Sequence, residues 1–187
     1  MIRILLLCLS LLLPAVAVAA DSVAKNPQVV IKTSEGDITV QLFADKAPVT
    51  VANFLDYVDS GFYKGTIFHR VIPNFMIQGG GFTAEMVEKD SGDPIVNESK
   101  NRLHNTRGTL AMARTTDPDS ATSQFFINQR SNLSLDWTPQ NPGYTVFGEV
   151  IQGMDIVDFI ATAPTGNAGR MQDVPKQPIV IKEIVRQ

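Results

Sequence analysis

The chain has 187 residues, 44% hydrophobic and 19% charged, with 13 Gly and 11 Pro. This is the composition of one ordinary globular domain, and it excludes disordered, collagen-like and multi-domain readings. Lys and Arg number 16 and Asp and Glu 19, a formal net charge of -3, and no basic run supplies the phosphate-neutralising patch of a nucleic-acid binder.

The first segment reads as a secretory signal. Arg3 provides a positive start, residues 4–13 an apolar run broken by Pro14, and residues 15–20 small side chains at A-x-A spacing before Asp21. The run is too short for the ~20 residues that span a bilayer, so no stable membrane insertion is expected after cleavage. Residues 1–20 are therefore read as a signal peptide, 21–27 as a short polar lead-in, and 28–187 as the functional domain, sent to an oxidising compartment. Cys8, the single cysteine, departs with the signal. The remainder has no thiol and must be stabilised by a hydrophobic core.

Beyond Pro27, strand-like runs follow one another at short intervals. Residues 29–33 and 37–43 flank Ser34, Glu35 and Gly36 as a hairpin, and further runs lie at 66–72, 75–78, 94–97, 109–114, 124–128, 146–151 and 179–185. Roughly eight or nine strands at this spacing predict a closed barrel or a sandwich. Two segments carry helical spacing instead. Val51, Phe54, Leu55 and Val58 fall on one stripe behind Pro48 and before Gly61, and Met154, Val157 and Ile160 form a shorter stripe over 154–161. These helices are expected to cover the barrel's open ends.

Inventory narrows the chemistry. With His69 and His104 as the only histidines and no H-x-x-x-H pair, metal catalysis is not expected, and neither is any cofactor. No G-x-S-x-G presents a serine nucleophile. Residues 88–93 lack the ligand alternation of a calcium loop and read as a solvated charged run. Gly79, Gly80 and Gly81 are followed by no Lys-Ser/Thr, and so mark tight backbone geometry and not a phosphate cradle. Within 66–72, alternation places Phe68, Arg70 and Ile72 on one face. Met76 shares a face with Gln78, and Gln124 with Phe126. Each pairs an apolar body with an amide, a pattern that suits either a groove or a core face with a satisfied polar edge.

Four longer motifs go further: FHRVIPNFMIQGG at 68–80, GTLAMAR at 108–114, SQFFIN at 123–128 and GYTVFGEVIQGMDIVD at 143–158. In order and spacing they resemble the cyclophilin-type peptidyl-prolyl cis-trans isomerases, over nearly all of 28–187, in a form that looks bacterial and periplasmic. The resemblance implies a mainly β fold, a closed eight-stranded antiparallel β-barrel capped by two α-helices, with a cleft on its outer wall. It implies that Arg70 is catalytic, that Phe75, Met76, Phe126 and Leu135 form a proline pocket, and that Gln78, Ala113, Gln124 and Tyr144 line the groove. It implies unfolded or partly folded proline-containing polypeptides as partners, and a monomer. Three positions depart from the familiar eukaryotic pattern: Ser134 stands where an aromatic is typical, Tyr144 replaces a His, and Arg114 replaces an Asn. Trp137 is the candidate to supply the aromatic missing at Ser134. A peptide-binding module without turnover and an envelope scaffold are the alternatives, and Arg70 separates the enzyme from the first, because a pure binder needs no cation beside a ring pocket.

Overall fold

In the computed structural model, which describes residues 26–187, the alternating runs become the wall of a closed antiparallel barrel. The signal segment, Cys8 and residues 21–25 of the lead-in lie outside the described residues. The strands are β1 (Gln28–Thr33), β2 (Asp37–Leu42), β3 (Thr66–Ile72), β4 (Met76–Thr83), β5 (Thr109–Met112), β6 (Phe125–Asn128), β7 (Val146–Gln152), β8 (Thr165–Ala168), β9 (Met171–Pro175) and β10 (Val180–Arg186). Eight of them close in the order β1-β10-β3-β4-β6-β5-β7-β2, and β8 pairs with β9 as a separate hairpin. Two helices, α1 (Pro48–Asp59) and α2 (Met154–Ala161), cap the barrel as expected. No helix among the described residues is long and apolar enough to cross a membrane.

Alternation along the strands creates two apolar clusters on opposite sides of one wall. Phe125 and Ile127 on β6, Leu110 and Met112 on β5, and Phe147 on β7 point into the main core, joined by Phe54 of α1 and Val157 and Ile160 of α2. Their neighbours Phe126, Ala111 and Val146 point outward and meet Met76 of β4 in a second cluster. The site grows from this outer cluster.

Pro48 opens α1, but Ala47 before it supplies no side-chain cap. The Glu98 carboxylate caps the helix from far along the chain, accepting from Val49 N at 3.1 Å and from Thr50 N and Oγ1 at 2.8 and 2.7 Å. Such a cap satisfies donors that a helix start otherwise leaves open.

Three sequence expectations need correction. Residues 94–97 form no strand; Ile95 makes one isolated bridge to Ala121, while the Asn97 side chain accepts from Ser99 N at 2.8 Å and so folds the chain into a turn. The run at 75–78 leaves Phe75 in the preceding turn and opens, at Met76, an eight-residue strand that continues through all three glycines to Thr83. Phe68 does not share a face with Arg70: the β3–β4 register shifts between them, and Phe68 and Val71 both enter the main core. A bulge inserts the extra residue that reverses the alternation. The hairpin of β8 and β9 is not legible in the sequence, because its strands are only four and five residues long; β9 packs against β3.

Candidate active site

The outer cluster holds a row of side chains carried by neighbouring strands. Arg70 on β3 is paired in register with Gln78 on β4, Gln78 with Phe126 on β6, and Phe126 with Ala111 on β5. Adjacent strands lie about 4.8 Å apart, so the row spans the wall at fixed spacing. A cation, an amide and an aromatic ring thus stand side by side on rigid backbone. Arg70 has no carboxylate within salt-bridge distance among the described residues, and its guanidinium is left facing the cleft.

Loops complete the walls. Phe75 sits in the β3–β4 turn, where its carbonyl accepts from Gln129 N at 3.0 Å and Asn132 Nδ2 at 2.9 Å. Leu135 ends a 3-10 turn, Leu133–Leu135, and its carbonyl accepts from Tyr144 N at 2.9 Å. The Tyr144 ring stands edge-on to Phe126, centroids 5.7 Å apart. Together Arg70, Phe75, Met76, Gln78, Ala113, Arg114, Phe126, Leu135 and Tyr144 line a cavity of about 130 Å³. Every site residue expected from the sequence lies here except Gln124.

Gln124 lies next door. It lines a second cavity of about 200 Å³ that shares Gln78, Ala113 and Arg114 with the first. Gln78 Nε2 donates to Gln124 Oε1 at 3.1 Å, so the two amides bridge the cavities. Ser134 and Trp137 line neither; Trp137 lies under Lys100, whose Nζ is 5.7 Å from its ring centroid.

Sequence reasoning missed three contributors. Arg114 was seen only as a departure from a pattern, yet it lines both cavities. Glu88, read as part of a solvated run, lines the second. The third is a buried amide network: Asn132 Nδ2 donates to Asn128 Oδ1 at 2.8 Å, and Asn128 Nδ2 to Thr109 Oγ1 at 2.9 Å. It ties the Phe75 turn to the turn carrying Leu135. Asn128 is visible in SQFFIN, but only the fold shows its partners.

His69 neighbours Arg70 but turns away from the cleft. It is 1% exposed, with its ring 4.7 Å from that of Phe82. Burial lowers its pKa to about 4, the Arg70 charge adding to the effect and a backbone hydrogen bond with Ile67 opposing it. Between about 4 and the ordinary 6.5 the unfolded chain binds a proton that the folded chain refuses. Stability is thus complete above pH 6.5 and declines as pH falls toward 4, by about 3 kcal/mol at ~1.4 kcal/mol per pH unit. Urea midpoints at pH 7 and 4.5 measure this; His69→Gln should flatten the difference, and an unchanged slope in that variant would contradict the assignment.

The comparisons with known proteins agree with this fold. The family described as Cyclophilin type peptidyl-prolyl cis-trans isomerase/CLD matches residues 28–186. A peptidyl-prolyl cis-trans isomerase of Acinetobacter baylyi is 55% identical over 172 residues, covering 92% of this chain and 91% of that protein. Peptidyl-prolyl cis-trans isomerase B of Escherichia coli is 55% identical over 159 residues, covering 83% and 97%. The crystal structure of a Cryptosporidium parvum cyclophilin-type isomerase in the presence of the dipeptide Ala-Pro superposes with a TM-score of 0.71 at 32% identity, covering 86% of this chain and 98% of that one. On the barrel, the outer-wall cleft and these relatives, the chain belongs to the cyclophilin-type peptidyl-prolyl cis-trans isomerase family and is an enzyme that isomerises prolyl bonds in proline-containing polypeptides.

Proposed function

We propose that Arg70 is the catalytic group, that the 130 Å³ cavity grips the proline ring, and that the enzyme serves exported polypeptides in the periplasm. The observation that carries the site assignment is the in-register row of Arg70, Gln78 and Phe126 beside that cavity. An X-Pro bond rotates slowly because twisting ω breaks amide resonance, at a barrier of ~18–20 kcal/mol. At the twisted transition state the nitrogen lone pair leaves the carbonyl and becomes a hydrogen-bond acceptor that the planar ground state lacks. A guanidinium placed there stabilises only the transition state, the condition for raising the rate. Phe75, Met76, Phe126 and Leu135 hold the ring by apolar contact. Gln78, Gln124 and Ala113 hold the flanking backbone, so the carbonyl side turns against a fixed ring. No covalent bond is made or broken.

A prolyl peptide followed by exchange NMR tests the proposal. The cis and trans signals should broaden on adding catalytic amounts of enzyme; binding shifts without exchange broadening would leave a peptide-binding module in place of the catalytic assignment.

Export rests on the N-terminal pattern. Cleavage should fall after Ala19 or Ala20, where the small residues meet A-x-A spacing. Mass spectrometry of the protein from a periplasmic extract reads the new N-terminus; protein retaining Met1 in that fraction would contradict the signal assignment.

A further inference from the structure

Two residues that the sequence singled out separately, Arg114 and Tyr144, meet in the folded chain. Arg114 lies just past β5 and Tyr144 just before β7, on loops that approach because those strands pair. The guanidinium carbon sits 4.4 Å from the centroid of the Tyr144 ring. Its donors are engaged on both loops: Nε and Nη2 donate to the Gly143 carbonyl at 3.0 and 2.9 Å, and Nη1 to the Thr115 carbonyl at 2.8 Å. The cation is therefore held at a fixed place over the ring, an arrangement that suits the planar fork of arginine. The ring's edge contact with Phe126 carries that position into the proline cavity.

We infer that Arg114 is a positioning residue for prolyl-substrate binding, acting through Tyr144. The inference rests on the reading of the 130 Å³ cavity as the proline pocket. The Tyr144 backbone is fixed by its bond to Leu135, but the ring can swing about its side-chain torsions unless something covers its face. Arg114 covers it. Without that cover, substrate must order the ring as it binds, and the cost falls on binding. Rotation of the amide, where Arg70 acts, is untouched. The effect should thus divide unevenly between KM and kcat.

Arg114→Ala should raise KM for a prolyl peptide about 5- to 10-fold with kcat nearly unchanged. Arg114→Lys keeps the charge but loses the planar fork, and should fall between the parent and Arg114→Ala. Because Arg114 acts through the ring, Arg114→Ala combined with Tyr144→Ala should raise KM no further than Tyr144→Ala alone. A thermal midpoint measured beside each KM separates positioning from general loosening. An Arg114→Ala variant with parental KM overturns the inference, as does a double variant whose KM rise is the product of the two single rises. Phe126→Ala distinguishes the levels: if it too leaves KM unchanged, the pocket reading fails and takes the inference with it; if it raises KM while Arg114→Ala does not, the inference alone fails.

Discussion

Replacing Arg70 by alanine should lower the rate of prolyl isomerisation by ~10²-fold or more while peptide affinity falls far less. The factor corresponds to about 2.7 kcal/mol of transition-state stabilisation, what one well-placed charged donor supplies in a cleft. Affinity is spared because, on the proposed assignment, Phe75, Met76, Phe126 and Leu135 hold the proline ring by apolar contact in the planar and the twisted state alike. Arg70→Lys should recover little. A lysine keeps the charge but presents a single ammonium on a flexible stem, which cannot hold the twisted nitrogen and neighbouring acceptors in one plane. Phe126→Ala provides the contrast, since the ring is held in ground and transition states alike. It should weaken binding and kcat/KM together. Line-shape NMR gives the exchange rate and a titration of the same peptide gives the affinity; an Arg70→Ala variant that isomerises at the parental rate would remove Arg70 from the chemistry.

The barrel was legible because alternation and helical stripes are local patterns. Ile38, Val40 and Leu42 alternate with half-buried or exposed polar neighbours along β2 and all reach the core. Periodicity failed where backbone departs from the ideal. The β3 bulge sends Phe68 inward, so of the face read as Phe68, Arg70 and Ile72 only Arg70 and Ile72 lie on the cleft side. Most of the site could be named because it sits on the four recognisable motifs. What sequence could not supply were contacts between motifs: Glu98 capping α1 from 48 residues away, or Arg114 meeting Tyr144 across two loops. Neither side chain carries a local pattern that points to its partner.

The glycine run of β4 leads to the second large effect. Gly80 has φ of +85°, in the region that side chains rarely adopt, and an added Cβ would lie 2.9 Å from Tyr63 Cε1 and 3.0 Å from Phe125 Cε1. Both rings are fully buried, and each packs against the other and against Phe54. Neither can yield without disturbing the core where α1 meets the wall. Gly80→Ala therefore combines a backbone penalty of about 1 kcal/mol with overpacking of about 1–3 kcal/mol. Gly81 beside it makes room in a different way, since a Cβ there would come within 2.5 Å of Gln124 Cγ and push that amide off Gln78. Gly61 is the control, with φ of +69° but open space around its Cβ position. Gly61→Ala should show the backbone penalty alone. Urea denaturation of the two variants should place Gly80→Ala lower in stability by about 1–3 kcal/mol than Gly61→Ala. Equal midpoints would mean that the rings of Tyr63 and Phe125 move freely, and that β4 does not need its glycines to lie against the core while presenting Met76 and Gln78 to the cleft.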